Sequence, residues 1–379
     1  MTHKFITKLN KYYVQYNKKE FKYSNISELE AYAKDFLNKC SILDIINIKC
    51  CNGNHHENDY GTTIFNTICI LSCRESKLIN IIQLFLDYFS ENNIISEALR
   101  DFIPKCDYLC SRDHFKDYLP ENNEEYTLKP FELICELANN NSIDIIKLFI
   151  KFFEKHNLVN CLYYYKEKTI LHLCCMRDYL SETDDICMRY ILDYFIENGL
   201  EDYIDYNIET YMTPLHYLCE YRTINDIKYF IDKCTQPKNL LDSFDLMYNL
   251  DYRNLSPIEL YLVRCNEIKY KDIKYFINII DKYCNYALYI DKPKGCTNTF
   301  IDFIIYSDTL NISDISDDKR YKLINKCIDI LCKFDDYNDI IDDILNKYSN
   351  YNNDKYCKYF IEIITNIKNS YNVKASELG

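Results

Sequence analysis

Two cysteines and two histidines near the N-terminus could bind a metal ion: Cys50, Cys51, His55 and His56. Thiolate and imidazole are ligands that zinc prefers, but zinc sites usually draw them from two separated pairs to reach a tetrahedral geometry. Directly adjacent residues point in different directions and fit that geometry poorly. We therefore expect an ordinary polar loop and no bound metal, with a thiol or metal-binding protein as the lowest-ranked alternative.

His172 and His216 occupy matching places in two similar heptapeptides and are the next candidates for chemistry. A catalytic histidine needs a nucleophile or a carboxylate held beside it, and neither recurs next to these two residues. The chain also lacks a glycine-rich phosphate loop, a Gly-x-Ser-x-Gly elbow and a zinc-protease motif. We expect no enzyme activity, no catalytic residue and no cofactor.

The charge and the apolar pattern of the chain restrict its partners. Its 379 residues include 45 basic and 58 acidic ones, and the resulting charge of -13 disfavours binding to nucleic acid. No run of about 18 apolar residues predicts a membrane span, and the N-terminal segment lacks the apolar core of a signal peptide. We expect a soluble intracellular protein without a membrane partner, whose 20 cysteines stay reduced.

A recurring heptapeptide indicates which elements position these side chains. Its clearest copies are residues 213–219 (TPLHYLC) and 169–175 (TILHLCC). Fainter copies begin at Thr63, Lys129, Ser256 and Thr299. The third position falls at residues 65, 131, 171, 215, 258 and 301. The pattern predicts about six repeats, or seven if the long first gap holds a degenerate copy around Ile95 to Cys110.

A second apolar segment follows several copies of the heptapeptide. Residues 226–231 and 272–277 have the identical sequence Asp-Ile-Lys-Tyr-Phe-Ile, and residues 145–150 are similar. Thr or Ser at the first heptapeptide position can cap a helix, and Pro at the second suits the first helical turn. Each copy therefore predicts a helix–turn–helix unit, and its apolar faces require stacked neighbours.

The heptapeptides resemble the ankyrin repeat, whose first helix opens with Thr-Pro-Leu-His. The matching residues are Thr169, Leu171, His172, Thr213, Pro214, Leu215 and His216. The spacing exceeds the usual ankyrin length of about 33 residues, and the glycines between and after the helices are mostly missing. Long irregular units with this residue bias are similar to the ankyrin-repeat proteins of poxviruses, which act in host range and immune modulation.

This resemblance implies an all-α fold, namely an ankyrin-type helical repeat solenoid with irregular long inter-repeat loops. Repeats are expected at 59–335, between an N-terminal cap at 1–58 with one helix and a C-terminal cap at 336–379 with two. In ankyrin repeats the histidine bonds to backbone of the adjoining loop, and the seventh position is small and faces a neighbouring helix. That position holds Cys69, Cys135, Cys175 and Cys219.

Candidate binding residues precede two of the central heptapeptides: Tyr206, Tyr211, Tyr252 and Arg253. Tyr and Arg are frequent anchors of protein interfaces, and repeat proteins bind through a concave surface of first helices and loops. These positions lie outside the apolar stripes, so we expect their replacement to spare the fold. The alternative is that they reflect only the bias of a chain with 38 tyrosines.

The resemblance implies a non-enzymatic scaffold that binds a host protein and modulates host defence or host range. The expected location is the host cell cytoplasm, with the nucleus as the alternative. The alternative is an adaptor that links its partner to a cullin-type ubiquitin ligase. Poxviral ankyrin proteins of that kind carry a C-terminal F-box-like segment that usually begins Leu-Pro. Here Leu119-Pro120 lies mid-chain and no proline follows Pro293, so the chain resembles members without that segment.

Overall fold

A computed structural model describes the chain over seventeen segments. They are residues 2–17, 26–47, 49–50, 62–73, 75–99, 130–137, 142–162, 168–176, 185–204, 211–235, 250–253, 255–264, 268–283, 300–305, 315–333, 337–348 and 354–378. The only strands among them are β1 (Lys49–Cys50) and β2 (Thr62–Thr63), which pair antiparallel. The protein is all-α, as the sequence predicts.

Eighteen α-helices lie in the described segments. In chain order they are α1 (Thr2–Asn17), α2 (Ile26–Lys39), α3 (Ile42–Asn47), α4 (Ile64–Ser72), α5 (Ile79–Glu91), α6 (Ile95–Leu99), α7 (Pro130–Leu137), α8 (Ile143–Lys155), α9 (Ile170–Cys175), α10 (Ile186–Glu197), α11 (Pro214–Tyr221), α12 (Ile224–Cys234), α13 (Pro257–Arg264), α14 (Tyr270–Tyr283), α15 (Phe300–Ile305), α16 (Asp317–Leu331), α17 (Tyr337–Tyr348) and α18 (Lys355–Leu378). In the described segments, no helix combines the length and the apolar character needed to cross a membrane.

The chain divides into two compact units. The first comprises Met1–Arg177 and Asp185–Leu192, and the second comprises Asp178–Asp184 and Asp193–Gly379. In both units, short helices that begin with the heptapeptide alternate with longer helices that carry the second apolar segment. We call these the first and the second helices.

Helix pairs stack in the first unit. The pair α1/α2 packs on α4/α5, because α1 contacts α4 and α2 contacts α5. The pair α7/α8 packs on α4/α5 in the same way, and α9 packs on α7. Phenylalanine rings fill the interior: Phe65 of α4 lies 5.7 Å from Phe85 of α5 and 6.2 Å from Phe149 of α8, measured between ring centroids. Burying such a ring typically stabilises the fold by about 1.5–3 kcal/mol.

One expectation for the N-terminal region is wrong. The N-terminal region contains α1 besides the helix predicted from Ile26 to Leu43, and Phe5 and Leu9 of α1 are fully buried. The long gap between the copies at Thr63 and Lys129 does not insert a further helix pair into the stack, because α4 contacts α7 directly and α5 contacts α8. Apart from α6, which begins at Ile95, the proposed extra copy lies outside the described residues.

Three second helices end with a residue in the left-handed backbone region. These residues are Asn93, Asn157 and Gly199, with φ of 55°, 55° and 68°. After each, the next N–H group bonds back to the carbonyl of a buried Phe, as from Leu158 to Phe153 at 2.8 Å. This is the Schellman ending, for which ankyrin repeats use glycine. Asn replaces Gly twice because it tolerates the left-handed region better than most residues.

Helix pairs also stack in the second unit, where α11 contacts α13, α13 contacts α15, and α14 contacts α16. The hydroxyl groups of Tyr229 and Tyr275 donate to Asp193 at 2.6 Å and to Asp232 at 2.9 Å, and so connect successive second helices. Burial, and then the hydrogen bond to Asp193, raises the pKa of Tyr229 to about 12. The two C-terminal helices are confirmed, with α18 extending to Leu378.

Candidate protein-binding surface

The predicted motif forms a reciprocal helix cap at the start of α11. The side chain of Thr213 accepts the N–H of His216 at 3.4 Å, and Nδ1 of His216 accepts the N–H of Thr213 at 3.1 Å. Such a capping box satisfies backbone groups that a helix end leaves without partners. Thr169 and His172 form the same box at α9. Leu171 and Leu215 are fully buried, and Pro214 begins α11, as the sequence predicts.

His216 also connects α11 to the loop before α13. Its Nε2 lies 3.2 Å from the carbonyl oxygen of Leu255, which belongs to the loop before α13. Nδ1 accepts a backbone proton, so Nε2 carries the hydrogen of the neutral ring and donates to this carbonyl. The role that the resemblance implied for the histidine is confirmed at this position.

Tyr211 lies three positions before Pro214, the first residue of α11. Its side chain is 62% exposed, whereas Met212 beside it is fully buried. Its φ is 56°, in the left-handed region, where a residue with a Cβ carries a cost of roughly 1–2 kcal/mol. An exposed aromatic residue that stays in a strained conformation supports a functional hypothesis rather than a role in packing.

The loop before α13 is organised around Asp251. Its buried carboxylate accepts the N–H groups of Arg253 at 2.8 Å and Leu255 at 3.0 Å. This turn leaves the side chain of Tyr252 49% exposed, with the Arg253 guanidinium 4.9 Å from its ring centroid. The stacked cation holds the exposed ring in place.

Arg253 binds two buried carboxylates. Its Nη2 lies 2.7 Å from Asp251 and its Nη1 lies 3.4 Å from Glu220 at the end of α11. Burial opposes the charge of Arg253, but the hydrogen bond and the charge of Asp251 outweigh it and raise the pKa of the guanidinium. Removing one partner of a buried ion pair is strongly destabilising. These contacts argue against the expectation that Arg253 can be replaced without cost to the fold.

Three further residues of this surface were not singled out from the sequence: Glu220, Tyr221 and Arg264. Arg264 of α13 donates to Glu220 at 2.7 Å, so this carboxylate connects α13 to α11. Burial, and then the charge of Glu220, raises the pKa of Tyr221, whose ring stacks on Tyr217 with centroids 6.3 Å apart. They follow the heptapeptide, at its eighth and ninth positions, where the residue type varies between copies, so the sequence carried no signal for them.

The remaining candidates are placed as follows. Tyr206 lies outside the described residues, as do Cys51, His55 and His56, while Cys50 ends β1. Within the described segments, no group of three or more His, Cys, Asp or Glu side chains could hold a metal ion.

The cysteines at the seventh heptapeptide position are buried, as the resemblance implied. They are Cys69, Cys135, Cys175 and Cys219. Burial raises the pKa of the Cys69 and Cys219 thiols well above the ordinary value, which disfavours the reactive thiolate. These four residues behave as small apolar side chains in the helix packing.

Comparison with known proteins found no matching family model, no matching curated protein and no matching solved structure.

Proposed function

We propose that the chain is a non-enzymatic helical repeat scaffold that binds another protein through the loops before α11 and α13. The observation that carries this proposal is the pair of exposed aromatic side chains, Tyr211 and Tyr252, on two successive loops. Each is positioned by buried, hydrogen-bonded neighbours. Rigid aromatic side chains give a large contact area at a low entropic cost and are common anchors in protein interfaces.

An ankyrin-type arrangement is part of the proposal. The Thr213–His216 capping box, the bond from His216 to the next loop and the stacked helix pairs within each unit support it. A continuous solenoid with long irregular loops would set these loops beside one another along one edge, where a partner can contact several at once.

The resemblance to poxviral ankyrin proteins indicates the kind of partner. We propose a host protein that acts in defence or host range and is captured in the cytoplasm of the infected cell. Such a function needs only a stable surface with well-placed anchors, and it requires no catalytic residue.

Affinity purification with matched variants tests this function. The tagged chain and the variant Tyr211→Ala with Tyr252→Ala are purified from the same cells, together with the control Leu43→Ala with Ile186→Ala. The control side chains are 71% and 49% exposed, which is similar to the 62% and 49% exposure of the two tyrosine side chains. We expect a host protein that is retained by the wild type and the control and lost from the tyrosine variant. Retention of all partners by the tyrosine variant would refute this surface.

The same experiment distinguishes an adaptor from a simple scaffold. An adaptor would retain ubiquitin-ligase subunits in all three preparations, because its ligase contact lies outside these loops. Absence of these subunits while the host partner is retained favours the simple scaffold.

A further inference from the structure

The two identical hexapeptides allow a comparison within the chain. Residues 226–231 in α12 and 272–277 in α14 share one sequence, and both helices begin in the same way. The Thr223 carbonyl accepts the first two N–H groups of its hexapeptide at 3.1 and 3.2 Å. The Lys269 carbonyl accepts the corresponding groups at 2.9 and 3.3 Å. Lys269 therefore occupies the place that Thr223 has in α12.

The residues flanking the hexapeptides differ in charge. At three matched positions α14 is more positive than α12, whereas Lys233 and Thr235 are matched by Ile279 and Asp281, which change the charge in the opposite direction. Residues 269–281 therefore carry a net charge of +1, and residues 223–235 a net charge of 0. The three pairs at which α14 is more positive are Thr223 and Lys269, Asn225 and Lys271, and Asp232 and Asn278. All three α14 residues are exposed. Since α12 folds and packs with neutral or acidic residues at these positions, the packing of α14 does not require its lysines.

Lys269 is an unfavourable residue for the N-terminal end of its helix. Thr223 caps α12, because its side chain accepts the N–H of Asp226 at 3.4 Å. A lysine side chain has no acceptor, and its positive charge is unfavourable at the N-terminal end of the helix dipole. An exposed residue that lowers the local stability of its helix indicates a role in binding rather than in folding.

The positive face continues onto α16, which packs against α14. Lys326 donates to Asn278, and Lys319 lies 5.4 Å from the ring centroid of Tyr270. Residues 268–283 and 315–333 together hold nine basic and five acidic residues in a chain of charge -13. We define the lysine face as Lys269, Lys271, Lys274, Lys319, Lys322 and Lys326.

We propose that the lysine face docks a short acidic segment of a partner protein. The face supplies local positive charge, and among its lysines Lys322 is paired with Asp318. Lys269, Lys271 and Lys274 form no ion pair with any described residue. At physiological ionic strength, charges interact over about 8 Å, so a short acidic peptide meets mainly the lysines. A long polyanion such as nucleic acid would extend beyond the face and be repelled by the remaining negative charge.

Exchanging the three matched residues tests this inference in the full chain. The variant Lys269→Thr, Lys271→Asn and Asn278→Asp gives α14 the residues of α12 at these three positions. The probe is a fluorescent peptide of ten glutamates, and its binding is measured by fluorescence anisotropy at physiological ionic strength. We expect its affinity to fall by about tenfold or more, because three charge contacts are lost or reversed. The melting temperature of the variant should not fall.

A charge-matched control separates local docking from general attraction. Lys151→Thr, Lys155→Asn and Asn80→Asp make the same change in net charge at exposed positions of α8 and α5. We expect an affinity within about twofold of the wild type, because the control changes the net charge of the chain but no residue of the lysine face. Equal weakening by the control overturns the proposal. It is also overturned if the wild type does not bind the peptide, or binds a ten-nucleotide DNA at least as tightly.

A second variant tests peptide binding without changing the residue at the start of α14. Lys271→Asn with Asn278→Asp leaves Lys269 in place and should weaken peptide binding in the same direction to a smaller extent. An unchanged affinity in this variant, with binding intact in the wild type, also overturns the proposal.

Discussion

Arg253→Ala is expected to unfold the second unit more easily, although Arg253 lies in a loop. The guanidinium contacts Asp251 and Glu220, whose side chains are 0% and 2% exposed. Both carboxylates lose a cationic partner in the variant. A loop substitution without such contacts would usually change stability by less than about 0.5 kcal/mol.

The size of the effect follows from the partners that remain. Removing one member of a fully buried ion pair costs about 3–5 kcal/mol, and one hydrogen bond to a charged group contributes about 1.5–3 kcal/mol. Glu220 keeps Arg264, and Asp251 keeps the N–H groups of residues 253 and 255. The Arg253 side chain is 23% exposed, so solvent already screens part of the interaction. We therefore expect a loss of about 2 kcal/mol.

Urea unfolding of a double-mutant cycle measures this loss. The cycle combines Arg253→Ala with Glu220→Gln, and the two effects should be non-additive by roughly 0.5–1.5 kcal/mol because the residues are in contact. Arg253→Lys keeps the charge but not the planar fork, so its stability should lie between wild type and Arg253→Ala. An Arg253→Ala protein as stable as the wild type would refute this account of the loop.

Four further predictions follow from single residues. Tyr211→Gly should be more stable than Tyr211→Ala by roughly 1 kcal/mol in urea unfolding, the reverse of the usual order, because φ is 56°; the usual order would argue against a left-handed backbone there. Leu215→Ala should cost about 2–5 kcal/mol because Leu215 is fully buried, and an unchanged melting temperature would place the motif in another register. The pKa of Tyr229 is raised to about 12, so the stability of the wild type relative to Tyr229→Phe should be fully present below pH 10 and lost as the pH rises through 12; a pH-independent difference in melting temperature would contradict this. Lys269→Thr should stabilise the protein by about 0.5–1 kcal/mol by capping α14, and a lower melting temperature would disprove the match with α12.

The local features of the fold were predictable from the sequence. Thr213, Pro214 and His216 specify the start of α11 because a cap involves only residues three positions apart. Leu215 and the cysteine at the seventh position follow from helical spacing, which fixes the face they occupy. The all-α class and the C-terminal helices rest on the same short-range patterns.

Long-range contacts decided the features that the sequence did not predict. The role of Arg253 depends on Glu220, which is 33 residues away and comes close only when α11 packs on α13. The burial of α1 depends on α2 and α4, and neither the capping signals nor the heptapeptide extends into that region.

The Asn endings of α5 and α8 did carry a signal, since Asn is the usual substitute for Gly in the left-handed region.

The fourth heptapeptide position shows what the six copies of the heptapeptide share. It is polar and buried in all six copies: Asn66, Glu132, His172, His216, Glu259 and Asp302. In His216 the ring Nδ1 accepts the N–H of the capping residue at 3.1 Å, and in Glu259 a carboxylate oxygen accepts the N–H of Ser256 at 2.9 Å. Two different groups thus satisfy the same backbone donor at the same place in the helix. Histidine occupies this position in two copies, whereas a buried polar residue occupies it in all six. The position therefore keeps a chemical property rather than a residue type.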